Sequence, residues 1–541
     1  MRRFAVRIVS LLSVAIDVTP ASARTSIHPY VEVQQVFAAD LSGNNNDAVT
    51  YTGLAAGVEA TVQSAKIQGQ LDYRYDHYFS WSHRYRDSDT HNGLANFIYQ
   101  ATPDLSFQTA GLAARARGTL SQGTGTPGLL FGDVGNTQQI YAIQAGPTFK
   151  HRFGDIDVAA DYRFGWTRTT DGIGTVDLGP GQPLIQTNFS TLSHTADASF
   201  GMRPGAAGLP FGWTVLGGWI RDEVHLLDER YNDKFGRLDL VYPLTPAFAL
   251  EGGVGYEDGR ASQAAILTDA SGAPILDSHR HLRPDHSKPR LLSYDEDGLI
   301  WDVGVLWLPS PRTSLEVKGG ERYGEGFVTG QLSYQISPRA SLQVVAYNDV
   351  QSFGRQLTDG IGGLPTAFSP DGLPIPSALS ICVFGSNGGQ GGCLSALNSI
   401  NSNFYRSRGV YGVLSGTHGP WNYGLGISYD HRHYLAPDLG PDVTTFAGVR
   451  EQSVTANATI GRRLSAVSAV SGSAVVSWYD TDVLGSGSYT SYGVVGTYSR
   501  ELSRRLLGIA SISVSTGSTG IDTGSNNDVV GAALLALRYQ L

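Results

Sequence analysis

The sequence predicts an all-β protein: a single transmembrane, antiparallel up-and-down β-barrel of about 22 strands, with short periplasmic turns and long extracellular loops. Three observations carry this. Apolar and polar residues alternate with a period of two in run after run, as strands with one apolar face require. The runs are about a dozen residues long, whereas soluble strands average ~5–6 residues and a tilted membrane strand needs ~9–11. The breaks between runs alternate short and long along the chain, as in outer-membrane barrels.

The chain opens with a secretory signal pattern. Arg2, Arg3 and Arg7 form the positive end, FAVRIVSLLSVAI the apolar core, and Ala21-Ser22-Ala23 an A-x-A cleavage site. Residues 1–23 are therefore expected to be removed, leaving a barrel over 24–541; a buried helix is the alternative reading. Strand-like runs then follow, beginning near 29–38, 49–63 and 65–80 and ending near 487–499, 504–517 and 527–541. In 66–81, Leu71, Tyr73, Tyr75, Phe79 and Trp81 oppose Asp72, Arg74 and Asp76. In 155–169, Val158, Phe164 and Trp166 oppose Asp157, Asp161 and Arg163. Trp301 and Val303 flank Asp302, and Leu425, Ile427 and Tyr429 oppose Asp430 and Arg432. Aromatics near the ends of the apolar faces suit interfacial girdles.

The breaks give the rims. Four short ones carry proline: YQATPDLSF at 99–107, VYPLTPAFAL at 241–250, LWLPSPRTSL at 306–315 and SYQISPRASLQVV at 333–345. GRRLSAVSAV at 461–470 and SRELSRRLLG at 499–508 repeat the break without it. Proline presets φ, and its missing N–H costs no ladder bond in a turn. Each of these breaks falls between an even-numbered run and the next odd one. The long connections, 119–136, 170–187, 260–296 and 353–403, all fall between an odd run and the next even one. At the end of the chain, Leu537, Tyr539 and Leu541 alternate as a C-terminal strand signature that the barrel-assembly machinery would engage. Leucine stands there where phenylalanine is usual. No backbone edge can stay unpaired in lipid, so this strand is expected to close on PYVEVQQVF.

Composition excludes several classes. No stretch approaches the ~20 apolar residues of a spanning helix, and a mean hydropathy of −0.12 suits alternating strands. Charged residues make up 16% of the 541. Loss of residues 1–23 removes three arginines and one aspartate, taking the net charge from −9 to −11. That balance argues against nucleic acid and against anionic membrane surfaces as partners, while the barrel itself implies outer-membrane lipid as the surroundings. Cys382 and Cys393 are the only cysteines. In an exported chain a local disulfide is expected, with free thiols or metal ligands as alternatives.

Catalytic and cofactor motifs are absent. No Gly-Lys pair, His-Glu-x-x-His or Gly-x-Ser-x-Gly occurs, so neither an enzyme nor a cofactor is expected. His279, His281 and His286 match no recognised metal spacing, and YDEDG at 294–298 reads as an acidic turn before a strand. The lumen-facing charges are the functional candidates: Asp72, Arg74, Asp76, Asp157, Asp161, Arg163, Asp302, Asp430 and Arg432. They would either brace the wall by ion pairing or set the field of an open pore.

Ile27-His28-Pro29-Tyr30-Val31-Glu32, with the hairpins that follow, resembles the "I-x-PYxE" opening of outer-membrane barrels associated with exosortase/PEP-CTERM exopolysaccharide systems. The resemblance implies an outer-membrane location and a link to exported polysaccharide or surface protein. It brings no catalytic residues. The functions expected are a porin-like channel or an envelope-export component, and, as the alternative, a structural or adhesive barrel with an occluded lumen. A receptor with an N-terminal plug would need a domain ahead of the first strand. Should the pore not conduct, 353–403, the longest external segment, is the first part to consider as a lid folded into the pore.

Overall fold

The computed structural model describes residues 24–41, 48–81, 87–117, 137–170, 175–176, 185–186, 188–270, 272–368, 381–437, 447–482, 488–516 and 529–541. Residues 1–23, expected to be a signal segment, lie outside the described residues, as do the 119–136 connection and most of 170–187. Twenty-two long strands form one sheet. In chain order they are β1 (Arg24–Asp40), β2 (Ala48–Gln63), β3 (Ile67–Ser80), β4 (Ser88–Gln100), β5 (Leu105–Arg117), β6 (Thr137–Phe153), β7 (Ile156–Thr170), β8 (Ser190–Met202), β9 (Gly212–Val224), β10 (Glu229–Thr245) and β11 (Phe248–Gln263). They continue as β12 (Leu291–Ser310), β13 (Thr313–Arg322), β14 (Glu325–Ser337), β15 (Ala340–Gln351), β16 (Tyr405–His418), β17 (Trp421–Tyr434), β18 (Arg450–Ser465), β19 (Ser468–Thr481), β20 (Tyr489–Ser503), β21 (Leu506–Thr516) and β22 (Val529–Gln540).

Each strand pairs antiparallel with its chain neighbours. The ring closes where β1 meets β22, from Tyr30 opposite Gln540 to Asp40 opposite Val530. No strand edge is left for lipid, which closure requires. Side chains alternate across the wall as the period-two pattern demands. Leu535, Leu537 and Tyr539 face outward and are exposed, while Leu534 and Ala536 face inward and are buried. Among the described residues, no helix is long and apolar enough to cross a membrane.

The short turns share a device that proline conceals. Ser310, Ser337, Ser465 and Ser503 each accept, on the side-chain oxygen, the backbone N–H two residues on, at 3.2–3.4 Å. Thr102 and Thr245 do the same. A hydroxyl that closes its own turn imitates a backbone turn. The ladder shifts register at Ser310, Ser337, Ser465 and Ser503. The recurrent element is therefore the hydroxyl, with proline as an option between it and the bonded N–H.

Two expectations change. YDEDG is no turn: β12 starts at Leu291, and Asp295 and Asp297 lie in the strand, bound to Arg260 and Tyr256 of β11. The larger change concerns 353–403. This connection between β15 and β16 does not extend away from the barrel. It turns into the lumen, because it carries too many large apolar side chains to stay solvated: Phe353, Leu357, Ile361, Leu364, Phe368 and Leu394 are all buried.

Candidate functional site: a lumen closed by its own chain

The inward segment begins with helix α1 (Phe353–Gly362), capped by Ser352, whose hydroxyl accepts the Arg355 N–H at 3.1 Å. Such a cap satisfies one of the orphan donors at the helix start. Phe353, Leu357 and Ile361 recur every four residues and share one face, fully buried against the inner wall. Phe353 meets the Phe189 ring edge-on at 5.8 Å. The helix is pinned by Arg355, which donates to Asp222 of β9 at 3.0 Å and to Asp349 of β15 at 3.1 Å. Its Nη2 donates to the Val350 carbonyl.

The chain then crosses to β3, β4 and β5. Gln108 and Asn96 donate to the Gly362 and Leu364 carbonyls, each at 2.6 Å. The Phe368 N–H donates to Gln70 at 3.1 Å. Beyond the undescribed 369–380, a short hairpin pairs Cys382 with Cys393 and Val383 with Gly392, and a disulfide joins the two cysteines. Its tip reaches the short-turn rim. Gly388, at φ +79°, sits so close to the Ser337-Pro338-Arg339 turn that a Cβ would lie 2.2 Å from the Arg339 carbonyl carbon. Only glycine fits there. Ser341 and Ser415 donate to the Gly389 carbonyl at 2.9 and 2.6 Å.

The return path is bound to β16, β17 and β18. Arg432 donates to the Ser399 and Ser395 carbonyls at 2.7 and 2.9 Å and to Asp430 at 2.7 Å. Asp430 in turn accepts from Tyr347 and Ser407. Asn398 exchanges hydrogen bonds with Ser453 and Thr455. Gln356 ties the two ends together, its oxygen accepting from Tyr405 at 2.7 Å and from Arg432 at 3.1 Å. The segment thus spans the lumen from one rim to the other and joins opposite walls.

This sorts the nine sequence candidates. Asp430 and Arg432 hold the inward segment. Asp72, Arg74 and Asp76 lie in the wall by the closing seam. There Arg74 binds Glu32 and Asp76, and Arg538 binds Glu32 and Glu59. Asp161 and Arg163 pair with each other at 2.8 Å, and Asp302 pairs with Arg237 at 2.7 Å. Asp157 sits at the short-turn mouth, shared by the exposed Arg152 and Arg203, rather than deep in the lumen. Leu537, Tyr539 and Leu541 all project outward, exposed, from the closing strand and chain end. Among the described residues, no three metal-binding side chains converge. Arg355, Asp222, Asp349 and Gln356 were not among the candidates. The Ser cap followed by apolar residues at four-residue spacing was the signal for that helix.

The two sides of the inward segment differ. Toward β18–β22 and β1, the inward residues are almost inaccessible and many are small or aliphatic, Ser477, Ser491, Val475, Val495, Ser511 and Val36 among them, with a few buried ions such as Glu32 and Glu451. Toward β7–β14, the short-turn half of the wall is charged and partly exposed, although Asp302 is buried. Six carboxylates (Asp161, Asp197, Asp239, Glu251, Asp302, Glu316) outnumber Arg163, Arg237 and Lys318 there. Asp359 of α1 is also exposed. Above this chamber the buried rings of Tyr231 and Phe404 meet at a tilt of 41°, their centroids 5.7 Å apart.

Fold and site together define a transmembrane barrel with a plug built from its own β15–β16 connection. No protein-family model matches the chain, and no curated protein matches it either. Among solved structures it is similar to the closed form of the ferric-catecholate import receptor Fiu from E. coli K12, at 8% identity and a TM-score of 0.47, covering 95% of this chain and 81% of that one. It is also similar to the FrpB iron transporter of Neisseria meningitidis, at 10% identity and a TM-score of 0.43, covering 95% and 81%. A third, the siderophore receptor PirA of Acinetobacter baumannii, shows 9% identity and a TM-score of 0.39, covering 96% and 81%. Likenesses this distant carry no argument here, and the fold rests on the strand pairing itself.

Proposed function

We propose that this chain is an outer-membrane transport barrel, a non-enzymatic channel gated by its own residues 353–403, with short turns in the periplasm and long loops outside. One observation carries the reading: a segment folded across the lumen and bound to opposite walls by hydrogen bonds and ion pairs. Contacts of that kind can be exchanged for water, whereas a permanently dry filling would be chiefly apolar. The open charged chamber beside the plug supports it further, since a mere anchor has no use for a solvated lumen. The excess of carboxylates favours cations or basic solutes. The occluded, adhesive barrel is the second reading, favoured by the closed β18–β22 side.

The finer assignment, a component of exopolysaccharide or surface-protein export, is supported by the Ile27–Glu32 resemblance alone. Leu537, Tyr539 and Leu541 would be the strand read by the barrel-assembly machinery, and cleavage would follow Ala23. The gate is tested in cells. Gln351 and Tyr405 are paired neighbours, so a short Gly/Ser linker can replace 353–403 without straining the ring. Cells making that variant should admit large hydrophilic antibiotics that wild type excludes. Unchanged exclusion by a correctly inserted barrel would contradict the gate.

A further inference from the structure

A second feature lies outside the lumen. The β11–β12 connection folds back as a flap over the ends of β7 and β8. It is tied down where His281 meets Asn188 at 2.7 Å and where Arg290 donates to Asp228 at 2.8 Å. Between flap and barrel runs a cleft of about 540 Å³, lined among others by Trp166, Arg168, His225, His281 and Arg283. Trp166 and Arg168 are on the outward face of β7, opposite in sense to the inward Thr167.

The cleft is therefore amphipathic along the barrel axis. Below it lie the outward Tyr162 and Phe164; Trp166 marks the interface, and the cations stand above. Its one carboxylate, Asp277, is already engaged by the N–H groups of His279 and His281 and by the His281 ring. Among the described residues neither Arg168 nor Arg283 has a carboxylate partner, and both are exposed. Two free guanidiniums beside an interfacial tryptophan, at the long-loop edge of the apolar band, suit a phosphorylated headgroup whose acyl chains lie along the wall.

We infer that this cleft binds the phosphorylated headgroup of an outer-leaflet glycolipid, with Arg168 and Arg283 on its phosphates and Trp166 against the sugar–acyl boundary. The inference rests on the orientation proposed above, long loops outward, and is independent of the plug.

The test is native mass spectrometry of the full barrel extracted from outer membranes, with lipid A as probe. Wild type should retain lipid A. The Arg168→Ala/Arg283→Ala variant should retain about twenty-five-fold less, roughly fivefold for each cation lost near a charged surface. It should stay heat-modifiable, which separates lost binding from lost folding. Arg312→Ala/Arg505→Ala, at the opposite rim, should retain lipid A as wild type does. Equal retention by the Arg168/Arg283 variant, or equal binding of dephosphorylated lipid A, overturns the proposal. So does retention of phosphatidylglycerol instead, lost on the same substitutions; that result also reverses the orientation and leaves the plug reading standing.

Discussion

The two sides of the plugged lumen obey the same alternation and end up in opposite states. On β18–β22 and β1 the inward positions hold Ser, Ala, Val and a few paired ions, and almost none of that surface is accessible. On β7–β14 the inward positions hold Asp, Glu, Arg and Lys, and much of it is. Period two decides which residues face in. Their size and charge decide whether that space is dry wall or wet chamber. Small inward side chains let facing surfaces close up, whereas ionised ones keep water because stripping it from charge costs several kcal/mol per ion.

Two buried arginines, Arg432 bound to the plug and Arg74 in the wall by the closing seam, give the largest expected effects and separate plug from wall. Arg432→Ala leaves Asp430 buried without its cation, a loss of about 3–5 kcal/mol by precedent for broken buried pairs. It should release the plug, read as proteolytic cleavage within 353–403, while the barrel stays heat-modifiable. Arg74→Ala removes a similarly buried cation from Asp76, yet should weaken the barrel and leave the plug protected. If both variants behave alike, the division between plug and wall is wrong.

Arginine insertion probes the wall itself. Val476→Arg, on the lipid face, should cost ~2–4 kcal/mol and impair insertion. Ser477→Arg, its inward and inaccessible neighbour, should also fail. Gln331→Arg, inward on the chamber side and exposed, should insert normally; failure there would mean the chamber is not wet. Assembly yield in outer membranes checks all three.

The Cys382→Ser/Cys393→Ser variant should act on the hairpin alone. Closing a loop this short is worth at most about 3 kcal/mol, so the plug tip should exchange amide protons faster while the strands do not change.

The smallest effects belong to the chamber's partly exposed carboxylates. Asp161→Asn and Glu316→Gln should each change stability by under about 1 kcal/mol, as solvated ion pairs do. In a plug-less barrel they should lower cation preference in reversal-potential measurements. No change would remove those groups from the conduction path.

The barrel was legible because alternation and turn spacing are local. The strands follow the runs, although β1 begins at Arg24, five residues ahead of its run, and the closing pair of β1 with β22 follows from the need to leave no edge. The plug was not legible in the same way. Its glycines and prolines spoke for a solvated loop, while Phe353, Leu357 and Ile361 spoke for a buried helix. Composition says that such a helix must be covered, but not by which strands. Asp222 and Arg355 stand 133 residues apart, and no local pattern joins them. The turn hydroxyls were masked by the more conspicuous proline beside them.

The central claim is that residues 353–403, and not the barrel wall, close the pore. Single-channel recording in planar bilayers tests it most directly, comparing wild type with the variant in which a Gly/Ser linker joins Gln351 to Tyr405. Wild type should be silent apart from brief openings, and the linker variant should conduct steadily with a cation preference. A steady large conductance in wild type, or a linker variant that inserts correctly and stays silent, would contradict the account.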